Sequence, residues 1–417
     1  MFTPQQSTKL NFSFKHLFFI VALFLPVLAN QLFFLVSGIL GYSYEGSEES
    51  NVFVLYSVFV FLFSLVFYFI CSAKNCFSFR DLTFFLFTSL FLICGIFLSF
   101  ISEFEFEFKE LVYFLVLGLP GAFSGLLFYR LISTTSFKYF RAFILVTSYL
   151  FIFSVSQVFL SAEAFADLVL GGAGYQFISY TASLLFGIVL YILYCQVLSV
   201  SVIGSSNSKL VIIPLLILLP AIVFLTGSKG AALLFLIYSL LFLAILIIKS
   251  SKKFHFFIFT AGALAFFMIV NFSNFELDIM GLNRILMVFD SDATLDSRTS
   301  GRVEYYDNFF FLIQSSPIYG HGPFVNNGYV TNSHNYFSMI LLNFGLVLGL
   351  SFLLFNFYLL FSSVKRFRFS DFSIGLPLIF FLYLLVNLSF SGSYLKNPIY
   401  WFVFSIMFCM VRVKRFA

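Results

Sequence analysis

Charge is scarce in this chain. Asp, Glu, Lys and Arg make up 10% of its 417 residues, where a soluble domain of this length carries roughly 25%. That shortage excludes an ordinary water-soluble domain. No acidic or basic residue needs to lie deep in any apolar run, although ion-coupled transporters usually keep an ionisable group there. Nor is an inverted repeat of the transporter kind visible. Cysteine is equally sparse: Cys71, Cys76, Cys94, Cys195 and Cys409 all fall in expected spans or on the expected cytoplasmic side. The outer loops therefore hold no disulfide, and no CxxC or Cys/His spacing offers a metal site. The pattern GxxxxGK[ST] is also missing, which excludes a P-loop.

What is present is apolar. Hydrophobic residues reach 61% and mean hydropathy is +1.03. Phe occurs 69 times, mostly where other membrane proteins use Leu, so its abundance reads as compositional bias. A hydrocarbon core of ~30 Å needs about 20 apolar residues in a helix. About twelve such runs appear, at 17–40, 52–71, 82–101, 111–130, 141–160, 176–203, 210–225, 230–248, 254–272, 335–361, 373–390 and 398–411. Lys9 and Lys15 before the first run imitate a signal peptide with Val27-Leu28-Ala29 as its cleavage site. The run is too long for a signal h-region, so an uncleaved first span is expected. Only "TGSKG" separates the seventh and eighth runs, and Pro214 and Pro220 interrupt the seventh; prolines are tolerated in spans where neighbouring groups satisfy the freed carbonyls.

Orientation follows from the basic residues. With the N-terminus inside, 17 of the 23 Lys and Arg residues face the cytoplasm, as the positive-inside rule requires. Only Asp81 and Asp371 oppose them there, and the acidic stretches "YEGSEES" and "SEFEFEFKE" lie outside. The formal net charge of +5 is thus a topology signal, and no nucleic-acid partner is expected. The expected fold is an all-α integral membrane protein of about twelve transmembrane helices, with one large periplasmic loop containing an amphipathic helix. Residues 1–272 hold nine spans with short loops, 273–333 form the large loop, and 334–417 hold three spans and a cytoplasmic C-terminus.

The large loop concentrates charge, polar groups and glycine, as a working surface on a rigid scaffold does. Its middle, "SGRVEYYDNFFFLIQSSP", reads as a helix. Ser300 or Gly301 can cap it, Glu304 and Asp307 suit its early turns, and Pro317 follows its end. Val303, Tyr306, Phe310 and Ile313 form one apolar stripe, expected to rest on the membrane surface or on the bundle, with Arg302 projecting off it. "SPIYGHGPF" and "NNG" then supply turns. Ser333 is the expected cap of the tenth span, which makes His334 its first helical residue. The helix N-terminus disfavours imidazolium there, and a neutral imidazole can accept a hydroxyl proton. An isolated interfacial His is more simply a boundary marker. In "TGSKGAALLF", Ser228 can cap the eighth span beside Lys229; a helix start plus a cation is an anion site, although a snorkelling Lys at a hairpin tip explains it as well. His321 in its glycine turn most simply shapes the loop. Glu304 and Asp307 are explained by first-turn placement. Arg284 and Lys396 bind phosphate or pair with loop acids, Gly345 and Gly349 permit close packing, and the acidic loops at 45–49 and 103–110 are expected to be solvated.

Four pieces, in this order and with the long loop between them, resemble the O-antigen polymerase and O-antigen ligase superfamily: "TGSKGA", "SGRVEYYDNFF", "SPIYGHGPF" and "SHNYFSMILLNFGLVLG". The resemblance covers about 220–350 in motifs and the rest only in span number. It implies a bacterial inner-membrane glycosyltransferase working at the periplasmic face, with both termini cytoplasmic. Its donor would be a glycan linked to undecaprenyl pyrophosphate, with no cofactor, metal or nucleotide sugar required. Arg302 and His334 match the family's functional Arg and His. Lys229 stands where an Arg is usual, a departure that replaces a planar fork with a point charge. On this reading His334 and Arg302 are catalytic, and Lys229, Arg302 and Arg298 hold pyrophosphate. His321, Asn335 and Glu304 are candidate sugar contacts. Membrane lipid and a chain-length regulator protein are the further partners.

Polymerase and ligase differ only in acceptor. The "SHNYFSMILLNFG" form and the Phe enrichment favour a polymerase. A lipid-linked oligosaccharide flippase is the alternative of another class, and would line a central cavity with charges that here lie at the outer rim.

Overall fold

The computed structural model describes residues 13–33, 51–75, 79–132, 136–160, 174–198, 207–226, 228–249, 303–331, 335–364, 372–390 and 393–411. Among these residues the chain is helical throughout, with one isolated β-bridge. In chain order the helices are α1 (Phe14–Phe24), α2 (Asn51–Asn75), α3 (Phe79–Ile101), α4 (Phe108–Tyr113), a π-turn (Phe114–Gly118), α5 (Leu119–Leu131), α6 (Ser136–Leu160), α7 (Gly174–Leu198), α8 (Asn207–Thr226) and α9 (Lys229–Lys249). After the large loop's undescribed part come α10 (Val303–Ser315), α11 (Gly328–Thr331), α12 (Tyr336–Val364), α13 (Phe372–Phe390) and α14 (Pro398–Met410).

Among the described residues, six stretches are long and apolar enough to cross a membrane: Val52–Ala73, Phe79–Ile101, Phe108–Leu131, Ser136–Gln157, Gln176–Cys195 and Tyr336–Ser363. Five shorter apolar helices accompany them. The expected ninth span at 254–272 lies outside the described residues. The first expected span is interrupted: α1 stops at Phe24 and a turn occupies 25–28, around Pro26, whose ring nitrogen cannot donate to the ladder.

Two ends of the bundle are chemically distinct. At one, Arg130 pairs with the buried Asp81, and Arg80 donates to the Tyr129 hydroxyl and the Cys409 carbonyl, both at 3.1 Å. At the other, Lys396 meets Glu110 at 3.0 Å and its ammonium lies over the Tyr113 ring. Lys396 is therefore paired with a loop acid, the second of its two expected roles. In between, α5 and α14 touch backbone to backbone. A Cβ on Gly121 would fall 1.9 Å from the Pro398 carbonyl oxygen, and one on Gly125 2.0 Å from Ser405 Oγ. Small residues permit such approach where no water drives association. Trp401, the chain's single tryptophan, is fully buried against Phe91 and Phe114.

The largest departure from expectation is α12. The 335–361 run was expected to cross as one span, but Gly345 has φ +67° and ψ −174°, a conformation that only glycine adopts without strain. In a straight helix Phe337 and Phe357 would stand about 30 Å apart. Their rings instead stack with centroids 6.2 Å apart, and the Phe344 and Phe352 rings are equally close. The helix is thus a hairpin, 336–344 lying beside 346–364. Gly349, expected to serve packing between helices, faces the chain's own first arm, with a would-be Cβ 3.0 Å from the Ile340 carbonyl oxygen.

Candidate functional site

The hairpin frames one rim of the bundle. Ending a helical arm at Gly345 leaves its last carbonyls without intrahelical partners. The large loop supplies donors: His321 N–H bonds the Leu342 carbonyl at 2.7 Å and Gly322 N–H the Asn343 carbonyl at 2.9 Å. In return Leu346 N–H donates to the Pro317 carbonyl at 2.7 Å. Gly320 and Gly345 approach so closely that a Cβ on either would strike the other's segment, at 2.4 Å and 2.2 Å.

The third wall comes from 102–107, which was expected to be solvated. It pairs instead with the loop: Glu107 N–H donates to Phe324 O and Asn326 N–H to Glu105 O, both at 2.9 Å, making an antiparallel bridge between Phe106 and Val325. Ser99 Oγ accepts from Phe324 N–H at 2.9 Å. Alternation in "EFEFEF" places Phe104 and Phe106 inward and leaves the Glu103 and Glu105 side chains exposed. That period-two pattern was the signal for this pairing.

His321 sits at the centre of this frame, 1% exposed. Its Nε2 lies 2.9 Å from the Leu312 carbonyl oxygen, so Nε2 carries the proton in that bond. Ser315 Oγ is 3.4 Å away, Nδ1 is 3.6 Å from the Glu103 carboxylate, and the Phe104 ring packs against the imidazole. The ring faces the loop's own interior, which suits loop packing better than contact with sugar.

Three of the sequence-derived candidates, Arg298, Arg302 and His334, lie outside the described residues, whereas Val303 after Arg302 and Asn335 after His334 are placed. Val303, the residue after Arg302, opens α10. Glu304, exposed on its first turn, accepts from the Tyr329 hydroxyl at 2.6 Å, and the Tyr305 and Tyr329 rings meet edge to face. The bond to the carboxylate holds the Tyr329 phenol above its ordinary pKa. Asn327 caps α11, its Oδ1 accepting from Tyr329 N–H at 2.9 Å. The chain that leads out of Arg302 is therefore tied to the chain that leads into His334. Tyr329 was not singled out from sequence, because nothing local marks an aromatic residue as the partner of an acid 25 positions away.

At the far side of the gap, Asn335 is the cap of α12. Its Oδ1 accepts from Phe337 N–H at 3.0 Å and Ser338 N–H at 3.3 Å, and its carbonyl receives Met339 N–H at 2.9 Å. This corrects the expected cap at Ser333. The Asn amide reaches the second and third helical N–H groups, so His334 precedes the helix and does not open it, and the argument from the helix dipole at His334 weakens accordingly. Asn335 Oδ1 is committed to the cap. Lys229 opens α9 half-buried, and Ser228 caps it as expected, with Ala231 N–H 3.5 Å from Ser228 Oγ.

Below Asn335 the chain enters an apolar cavity of about 120 Å³ between the second arm of α12, α13 and α14, walled by Phe357, Leu360, Leu384 and Leu388 among others. Its polar end is a short hydroxyl chain. Tyr336 OH lies 3.1 Å from Tyr400 OH, which donates to Asn356 Oδ1 at 3.1 Å. Tyr336 and Phe337 line the cavity, so the apolar space adjoins the start of α12.

Among the described residues these features define an all-helical, multi-pass membrane protein whose 316–325 segment is bound to the α12 hairpin. Residues 214–354 match the family model of the O-antigen ligase family, which supports placement in the O-antigen polymerase and ligase superfamily. The matched stretch runs from within α8 to the second arm of α12 and contains every sequence-derived site residue. No curated protein and no solved structure matches the chain.

Proposed function

We propose that this protein is an O-antigen polymerase, a glycosyltransferase of the bacterial inner membrane that joins undecaprenyl-pyrophosphate-linked repeat units at the periplasmic face. The family match over 214–354 carries the reading at the level of polymerase or ligase. The Glu304–Tyr329 bond supports it, because it ties the helix that follows Arg302 to the turn that precedes His334.

In the proposed reaction the donor's polyprenyl chain lies among the spans, for which the cavity beneath Tyr336 offers apolar walls, and its pyrophosphate reaches the rim. An acceptor hydroxyl attacks the anomeric carbon from the face opposite pyrophosphate. The new C–O bond forms as the glycosyl–phosphate bond breaks, and the electron pair departs on the pyrophosphate, so configuration inverts. Arg302, with Lys229 and Arg298, stabilises the charge growing there. His334 orients the hydroxyl and accepts its proton. Pyrophosphate is already a good leaving group, so charge stabilisation contributes more than base catalysis.

Surface-glycan profiling of a deletion strain tests the assignment. Loss of a polymerase leaves lipopolysaccharide capped by a single repeat unit. Bare core with accumulated lipid-linked polymer would establish the ligase instead, and a lipid-linked unit retained on the cytoplasmic side would establish a flippase.

A further inference from the structure

Helix α10 has one covered apolar face, and on its open face large apolar residues flank the exposed Asp307 and Gln314. Phe309, Leu312 and Ile313 pack with Phe104, Val325, Val330 and Leu342, and Tyr305 meets Tyr329. The opposite edge is open: Tyr306, Phe310 and Phe311 are 46%, 60% and 69% exposed, and Ile318 and Tyr319 in the following turn 53% and 60%. Five large apolar residues within fourteen positions form more than the scattered exposure that any surface shows.

The strip continues into an exposed apolar face of α12. Ile318 and Tyr319 lie against Gly345, and Pro317 receives the Leu346 N–H. The residues that follow Gly345, namely Leu346, Val347, Leu348 and Leu350, are exposed apolar side chains on a membrane-type helix. The turn is thus joined to the lipid-facing side of α12 without a polar break at the join. Tyrosines at the edge of an apolar surface match the belt that aromatic residues form at headgroup level, and a helix with one such edge lies in the plane of the interface.

We infer that α10 and the 316–319 turn are seated in the bilayer interface, with Phe310, Phe311 and Ile318 entering the acyl region and Tyr306 and Tyr319 at headgroup depth. The partner of this face is the lipid surface itself. Seating fixes the height of α10's first turn relative to the plane of lipid phosphates. This holds whichever acceptor the enzyme uses, and whether or not it is a transferase.

The experiment uses the full chain in nanodiscs of phosphatidylethanolamine and phosphatidylglycerol. Trp401 is the single native tryptophan and is buried, so a Phe311→Trp variant adds one reporter to a constant background. With lipids brominated in the upper acyl chain, the added emission should fall by roughly half, as for an interfacial helix, and by less with lipids brominated near the chain end. Phe310→Trp serves as the second reporter should the first variant fail to assemble. Added emission that resists brominated lipid but yields to aqueous acrylamide would place the face in water. Resistance to both quenchers would place it against protein. Either result overturns the inference.

Discussion

At the scale of single residues, the rim divides into groups that shape and groups that can act on a substrate. His321 belongs to the first set: it is buried, committed to the Leu312 carbonyl and packed on Phe104. Arg302, Lys229 and His334 carry the chemistry of the proposed function, and their substitutions should separate by role. Arg302→Ala should shorten the surface glycan at least as severely as His334→Ala, because in the proposed reaction charge on departing pyrophosphate dominates the barrier. A full-length glycan ladder from an Arg302→Ala strain with normal protein levels would reject the role given to Arg302. Lys229→Arg should keep long chains and Lys229→Ala should lose them, since an Arg supplies the same charge with two-point geometry. Equal ladders from both would make Lys229 a snorkelling residue.

At the scale of elements, α12 and the loop depend on each other. A non-glycine residue at the φ of Gly345 costs on the order of 1–3 kcal/mol, before the contact of a new Cβ with the Ile318 carbonyl is counted. Gly345→Ala should therefore lower the melting temperature of purified protein and release the loop to proteolysis after Pro317. Gly328→Ala, where a Cβ meets nothing within 4 Å, should behave like the parent in both assays and serves as the control. The cap at Asn335 makes a separate demand. Asn335→Ala removes the acceptor for two helical N–H groups at a cost of about 1 kcal/mol. Asn335→Asp, which keeps that acceptor, should recover stability in a thermal melt, whereas no difference between the two variants would argue against the cap.

At the scale of the whole molecule, the two ends of the bundle must face opposite compartments if the charge pattern is a topology signal. The Glu103–Glu110 end carries acids, and the Asp81–Arg130 end sits among the basic segments. A Glu105→Cys variant should react with a membrane-impermeant thiol reagent in spheroplasts, and a Phe79→Cys variant only after permeabilisation. The reverse pattern would turn the loop toward the cytoplasm and end the proposed periplasmic chemistry.

Composition and order along the chain were enough for several features. Segregated Lys and Arg, the apolar runs, the helix after Arg302 and the Ser228 cap are local properties, set by residues within a turn or two of one another. The α10 periodicity showed that an apolar stripe exists, yet of the expected Val303, Tyr306, Phe310 and Ile313, Tyr306 and Phe310 are open while Ile313 packs inward. Only packing against Val325, Val330 and Leu342 decides that Phe309 and Leu312 face inward. The fold at Gly345, the bridge between Phe106 and Val325, and the Glu304–Tyr329 tie likewise join segments distant in sequence. A hydropathy run of 29 apolar-rich residues reads identically whether straight or folded back. Tertiary structure made that choice, because the carbonyls freed at the bend are satisfied only when the His321 and Gly322 amides arrive to meet them.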